Sequence, residues 1–348
     1  MSDPALGWLL NQIHTRAGER SLWCLDENDP AALKSAGSFH APEDFQIISN
    51  RVDLAQSAQA SNLKSAFSDF DFSAYPDQSL SQVFYRVSKE KPVVHHIINE
   101  AARILTPGGQ LFLCGQKNEG AKTYIEKAAQ RMGIRQKSQK EGSVYTAILE
   151  RARDLGPALD DSDYTTPRRI VGTEGLTFYS KPGLFGWQKV DKGSEFLWDQ
   201  ARALMAERKP QSLLDLGCGY GYLGLMTREK SLKRRVMTDN NAAAVAMARY
   251  NAEFNGIDAT VIADDCARSI DETFDVVLCN PPFHQGFSVS GELTHQFLQQ
   301  ARAHLAPGGI VLFVVNSFIP LGKVAANYFG QVELLKDNGS FSVFALRP

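Results

Sequence analysis

One pattern occurs twice in this chain, about 200 residues apart, and it constrains the architecture more than any other feature. Residues 101–114 read AARILTPGGQLFLC and residues 301–314 read ARAHLAPGGIVLFV. Each is a helical run that ends in Leu-x-Pro-Gly-Gly, a turn whose glycines can take φ > 0, and then an apolar run suited to a buried strand. A second echo follows at nearly the same offset, GSVYTAIL at 142–149 against GSFSVFAL at 339–346. Paired repeats at a constant offset point to a duplicated α/β domain. At 348 residues the chain is long enough for two such cores.

Between the halves, residues 151–185 read as loop, with charges of both signs mixed among Gly, Pro and Asp. A linker is expected around 155–170, leaving domains at 1–160 and 170–348. In the second half strands alternate with helices. Strands are expected at 212–216, at 235–238 running into Asp239, at 260–263 and at 274–279, with an Ala-rich helix at 241–254 capped by Asn241. Units of this length imply a mostly parallel, doubly wound sheet covered on both faces. The expected fold class is α/β, as two tandem Rossmann-like domains.

Asp215-Leu216-Gly217-Cys218-Gly219-Tyr220-Gly221 closes the first of these strands and opens a helix. Glycines there let the backbone turn sharply and approach a ligand, and a helix N-terminus presents free N–H donors. The spacing is Gly-x-Gly-x-Gly, not the Gly-x-Gly-x-x-Gly of dinucleotide binders. An acid at 215 would repel a pyrophosphate and suit a cationic amino group, which favours S-adenosylmethionine over NAD. Asp239, followed by Asn240, ends the next strand 24 residues on, where a carboxylate can accept both ribose hydroxyls. Asp264 and Asp265 end the third strand, where a side chain can meet the adenine amine.

The fourth strand ends in Asn280-Pro281-Pro282-Phe283, 65 residues past Asp215. Ligands collect at this edge of open α/β sheets. A planar exocyclic amine is a poor nucleophile because its lone pair is delocalised into the ring. The Asn280 side-chain oxygen and the Pro281 carbonyl can each accept one of its N–H bonds as the methyl arrives. The prolines stiffen the turn, and Phe283 offers a ring for the base, with stacking worth roughly 1–3 kcal/mol. Alone, a Pro-Pro turn is an ordinary rigid connection; its separation from the glycine loop marks this one as catalytic. His284, next in sequence, reads more readily as a structural hydrogen bonder than as a base.

DLGCGYG, TDNNAAAVAMARYN and NPPFHQG together resemble the class I S-adenosylmethionine-dependent methyltransferases that act on amines. The form NPPFH resembles the ribosomal RNA guanine-N2 methyltransferases of the RsmC/RlmG type, which carry two tandem domains, the first degenerate. The resemblance covers residues about 75–348. It implies that Asp191, Gly193 and Ser194 of KPGLFGWQKVDKGSEFLW lie beside the cofactor, with Phe185 near the substrate entrance. Trp187, Gln188 and Lys192 depart from the usual pattern of that segment.

The first half bears out such degeneracy by alignment with the second. SLWCLDEND (21–29) set against SLLDLGCGY (212–220) puts Cys24, Asp26 and Asn28 where Asp215, Gly217 and Gly219 stand. QVFYRVSKE (82–90) puts Val87-Ser88-Lys89-Glu90 in place of the catalytic tetrad. The first half does carry seven basic residues between Lys117 and Lys140, and with Arg86, Lys89 and Lys91 they can form a phosphate-binding face. An ordinary solvated helix face reads equally well. The cluster Arg228, Lys230, Lys233, Arg234 and Arg235 reads as a surface turn.

Composition removes other classes. Lys plus Arg (37) nearly cancels Asp plus Glu (39), a net charge of −2, so there is no polybasic nucleic-acid coat. No run approaches the ~18 apolar residues that span a bilayer, and the first residues lack a signal-peptide pattern. Five scattered cysteines without Cys-x-x-Cys pairs, and seven histidines including His95-His96, suggest neither disulfides nor a metal site. A cytoplasmic, metal-free monomer is expected, acting on guanine N2 of 16S ribosomal RNA, within an assembled 30S subunit. The alternatives are the same chemistry on 23S RNA, methylation of adenine N6 or a protein glutamine, and a non-catalytic RNA-binding assembly factor.

Overall fold

The structure is a computed structural model that describes residues 3–18, 20–26, 42–282, 284–285, 288–289 and 291–348, without the side chains of residues 171 and 284–292. It divides into two compact units, Met1–Thr165 and Thr166–Pro348.

The first unit contains strands β1 (Ser21–Leu25), β2 (Phe45–Ser49), β3 (Lys64–Phe67), β4 (Leu80–Arg86), β5 (Leu105–Gln116), β6 (Gln139–Glu141) and β7 (Val144–Glu150). Its helices are α1 (Pro4–Arg16), α2 (Val52–Ala60), α3 (Lys91–Ile104) and α4 (Ala121–Arg131). The sheet order is β3-β2-β1-β4-β5-β7-β6, parallel through β5 and antiparallel beyond it.

The second unit opens with a hairpin, β8 (Arg168–Thr173) and β9 (Leu176–Ser180), followed by helix α5 (Lys192–Arg208). Then come β10 (Ser212–Leu216), α6 (Tyr222–Met226), β11 (Arg234–Asp239), α7 (Ala242–Phe254), β12 (Thr260–Ala263) and β13 (Phe274–Cys279). A small pairing of β14 (His284–Gln285) with β15 (Ser288–Val289) precedes α8 (Gly291–Ala303). The chain ends with β16 (Leu305–Asn316), α9 (Leu321–Ala325), β17 (Gln331–Asp337) and β18 (Phe341–Arg347). The order β12-β11-β10-β13-β16-β18-β17 repeats that of the first sheet strand for strand.

The repeat extends to register. Cys24 pairs with Ile48 and Tyr85, as Asp215 pairs with Met237 and Leu278. Even the brace at the start of the fourth strand recurs. Gln82 Oε1 accepts from Gly18 N and Ser21 Oγ, both at 2.9 Å, and Asp275 Oδ2 accepts from Gln211 N and Ser212 N at 2.8 and 3.1 Å. Successive residues of β10 enter opposite cores, Leu213 with Val276 and Ile310, and Leu214 with Val277 and Val311. Both faces are covered, as a parallel sheet requires.

Two expectations change. The Leu-x-Pro-Gly-Gly segments are not separate turns; they are bulges inside β5 and β16, where the register shifts against β4 and β13. The first glycine of each supplies the left-handed conformation (Gly108 φ 83°, Gly308 φ 73°). At the second, a Cβ on Gly109 would stand 2.9 Å from the Thr106 carbonyl oxygen, and one on Gly309 2.9 Å from that of Ala306. The division between the units, after Thr165, falls inside the expected linker, and the chain just before it packs on the first unit. Asn99 brackets the Leu159 backbone at 2.8 and 2.9 Å, and the buried Tyr164 donates to Asp69 at 2.6 Å. Finally, residues 168–180 form the β8–β9 hairpin where loop was expected. Among the described residues no helix is long and apolar enough to cross a membrane.

Candidate active site

The glycine loop leaves β10 with Gly217, Gly219 and Gly221 all left-handed, at φ 79°, 55° and 89°. Gly217 N and Cys218 N both donate to the Thr238 carbonyl, at 2.9 and 2.8 Å, which ties the loop to β11. A Cβ on Gly217 would meet the Phe297 ring at 3.1 Å, whereas one on Gly219 would meet nothing within 4 Å among the described residues. Among the described residues Gly219 therefore leaves room beside the loop, as a cradle for a ligand requires. Cys218 is buried, and burial together with the Asp239 and Asp215 charges pushes its thiol well up, so it stays protonated.

Asp215 is buried beneath this loop. Its Oδ2 accepts from Gly224 N at 2.7 Å, while its Oδ1 is buried with no hydrogen-bond partner among the described residues. Burial lifts the carboxyl from 3.8 to about 7, with Asp239 adding to the rise and the Gly224 bond opposing it. An orphaned carboxylate oxygen at a loop of left-handed glycines fits a cationic ligand group. Asp239, half-buried at the end of β11, accepts from Gly219 N through Oδ2 and from Asn241 N through Oδ1, both at 2.9 Å. The carboxylate is thereby aimed along the loop.

Around it, Asn240 donates to Asp265 Oδ1 at 3.1 Å, and Asp265 pairs with Arg268. Asp264 differs: its oxygens take Arg268 N and Ser269 N, both at 2.9 Å, and the Ser269 hydroxyl. It caps the turn after β12, and of the two neighbouring acids Asp265 is the more exposed.

Asn280 ends β13 beside the N-terminus of α5. Its Nδ2 donates to Asp191 Oδ2 and to Ser194 Oγ, both at 2.8 Å. Asp191 is the N-cap of α5, and the same Oδ2 accepts from Ser194 N at 2.8 Å. Asp191, Gly193, Ser194 and Asn280 are thus one cluster. Pro281 is buried and Pro282 exposed. Phe283 lies outside the described residues, as does the side chain of His284. Phe185 is 80% exposed.

In the first unit the corresponding strand ends are filled differently. By register Asn50 stands where Asp239 does, and it donates to Asp26 Oδ1 at 3.1 Å, Asp26 being the counterpart of Gly217. Asn28 lies outside the described residues. Arg86, grouped above with the phosphate-binding residues, is buried, ion-paired to Asp3 at 2.8 Å and to Glu119 at 2.6 Å. It holds the fold together and does not face solvent. Arg131 is likewise half-buried and donates to the Gly156 carbonyl at 2.6 Å. Lys89, Lys91, Lys117, Lys122, Arg135, Lys137 and Lys140 remain exposed. In the second unit Arg234 pairs with Glu272 and Arg235 donates to three backbone carbonyls, so these two members of that cluster are structural.

Asn251 escaped the sequence reading. Fully buried on α7, it donates to the carbonyls of Tyr220 (2.9 Å) in the glycine loop and Tyr179 (2.8 Å), and accepts from Tyr179 N at 2.8 Å. Asn255, one turn on, brackets Thr177 in the same way. The signal was available: two asparagines at i, i+4 on an otherwise apolar helix face.

The Methyltransferase small domain model matches residues 175–345. The chain is similar to the ribosomal RNA small subunit methyltransferase C of Pseudomonas aeruginosa, 30% identical over 99% of each chain, and to that of Haemophilus influenzae, 26% identical over 93% of this chain and 92% of the other. Among solved structures it is similar in fold to the T. thermophilus 16S rRNA N2 G1207 methyltransferase (RsmC) in complex with AdoMet and guanosine. There the TM-score is 0.82 at 24% identity, covering 99% of this chain and 92% of that one. With identity of this order along its whole length, this chain belongs to the ribosomal RNA small subunit methyltransferase C family.

Proposed function

We propose that the protein transfers a methyl group from S-adenosylmethionine to the exocyclic N2 of a guanine in 16S ribosomal RNA. The observation that carries this reading is the state of Asn280. Both protons of its amide are engaged by Asp191 and Ser194, while its Oδ1 takes no partner among the described residues. A fixed acceptor at the end of β13, with the Pro281 carbonyl beside it, matches an amine with two N–H bonds to give. Among the relatives named above, which are small-subunit RNA methyltransferases, the T. thermophilus protein is a 16S rRNA N2 G1207 methyltransferase, and this favours guanine N2 among the planar amines.

The cofactor fits the glycine loop. Asp215 Oδ1 would meet its amino group, the backbone at Gly217, Cys218, Gly219 and Gly221 would border it, and Asp239 with Asn240 would take the ribose hydroxyls. Asp265, with Asp264 beside it, would reach the adenine, and Gly193 at the start of α5 would close the far side. When bound, the cofactor supplies an electrophilic methyl on a sulfonium. The protein's part is placement: Asn280 and Pro281 hold the amine, Pro282 stiffens the turn, and Phe283 stacks on the base. The guanine must be unpaired or flipped out, because pairing buries its N2.

Phe185 and His284 would border the substrate, and Lys89 and Lys91 would contact phosphates from the degenerate first domain. We take the partner to be a shaped, assembled 30S particle, because a net charge of −2 gives little general attraction to naked RNA, and the enzyme to act as a monomer in the cytoplasm. The test offers labelled S-adenosylmethionine with small subunits, large subunits or free RNA from cells lacking the protein, followed by nucleoside analysis. Label in N2-methylguanosine of small subunits is expected. Label in large subunits, in methyladenosine or in protein would replace the substrate, and binding without transfer would make the protein an assembly factor.

A further inference from the structure

We infer that Asp191 and Ser194 are positioning residues that act on the reaction through Asn280, fixing which end of its amide faces the substrate. The inference rests on the functional reading above and gives its site a second layer. An asparagine amide has an acceptor end and a donor end of the same shape, and only the acceptor end can take an N–H from an amine. Turned over, Asn280 would present N–H to N–H and repel the group it must hold.

Asp191 removes that freedom. An ionised carboxylate accepts and cannot donate, so the Asn280 group 2.8 Å from its Oδ2 must be Nδ2. Ser194 Oγ takes the second Nδ2 proton at 2.8 Å. With both protons engaged, Oδ1 is left pointing away from α5, and a flip would place two oxygens in contact. The lock is rigid on the other side as well. Asp191 is held as the N-cap of a 17-residue helix by Ser194 N, and its own carbonyl accepts from Glu195 N at 3.0 Å.

Gly193 explains itself by the same contact. A Cβ there would stand 2.9 Å from Asp191 Oδ2, 3.2 Å from the Phe341 ring and 3.4 Å from Asn280 Nδ2, wedging the pair apart. Residues that merely bordered a cofactor would not need their carboxylate and hydroxyl turned onto the catalytic amide.

The test separates binding from turnover, using the full-length protein with small subunits and S-adenosylmethionine. Asp191→Ala is expected to lower kcat about 10- to 100-fold, the scale set by misplacing a reacting group, with the Kd for S-adenosylmethionine within about twofold of wild type. Asp191→Asn, whose amide oxygen can still accept from Asn280 and Ser194 N, restores most of kcat. Asp191→Ala also removes a helix cap, so Ser194→Ala, which keeps the cap acceptor, serves as the folded control and lowers kcat several-fold on the same pattern. In an Asn280→Ala background neither substitution lowers kcat further. A loss of S-adenosylmethionine affinity at unchanged kcat, or kcat losses that add to that of Asn280→Ala, would overturn the inference and make both residues cofactor ligands. Unchanged kcat in every variant would overturn it too. Failure of the wild type to methylate small subunits condemns the functional reading instead, so the two failures are told apart.

Discussion

Asp215 normally titrates near 3.8, and burial under the glycine loop lifts it to about 7, with the nearby Asp239 charge contributing. Between those values the folded protein keeps a proton that the unfolded chain has released, so this residue's contribution to stability falls as pH rises through that interval and is lost above it. A cationic ligand group against Oδ1 reverses the preference by favouring the carboxylate. The Kd for S-adenosylmethionine should therefore tighten by up to about tenfold between about pH 6 and pH 8, with close to one proton released on binding at the lower pH and little at the higher. Asp215→Asn should flatten that profile, which calorimetry in two buffers would read. At Asn280, substitution by Ala should leave cofactor binding intact and cost about 10²–10³ in kcat, the scale of losing one preorganised hydrogen-bonding group. Gly219 adopts φ 55°, so Gly219→Ala carries about 1–2 kcal/mol of backbone strain. It also plants a methyl in the open cradle, so equilibrium dialysis should show weaker cofactor binding in a protein that is still folded.

At the level of elements, β10 to β13 were legible almost to the residue because each is a short apolar run closed by a polar residue with a job. The β8–β9 hairpin was not legible. Its partner along one edge is a helix, with Asn251 and Asn255 supplying the amide groups a strand would otherwise offer, and no local periodicity announces that. Asn251→Ala would strand the buried carbonyl of Tyr220 and lose the bonds to Tyr179, a cost of about 2–4 kcal/mol from the penalties of unsatisfied groups. A lowered thermal midpoint with reduced cofactor affinity would mark the loop as the part that loosens. The Pro-Gly-Gly segments were recognisable as a repeat, but their conversion from turn to bulge depends on β4 and β13 lying alongside, a tertiary fact. The Asp191–Asn280 contact joins residues 89 apart, and only the assembled sheet edge brings them together.

Across the whole molecule, the two units share strand order, register and bulges, yet only the second keeps a glycine loop and the Asn-Pro-Pro turn. If the exposed lysines of the first unit meet phosphates, replacing both Lys89 and Lys91 by Glu should weaken binding to small subunits. It should also reduce the slope of log K against log salt by roughly 0.7–0.9 for each phosphate no longer neutralised, leaving kcat at saturating substrate unchanged. A slope identical to wild type in filter binding would remove both residues from the RNA face. The Arg86 triad shows what the first unit has at the same strand end instead. Its buried guanidinium neutralises the partly exposed Asp3 and the buried Glu119, immediately before the position that corresponds to Asn280. Breaking such a group by a single change costs about 3–5 kcal/mol, because it leaves charge stranded in the core. The strand end that in the second unit leads into the Asn-Pro-Pro turn is therefore, in the first, a keystone of the fold.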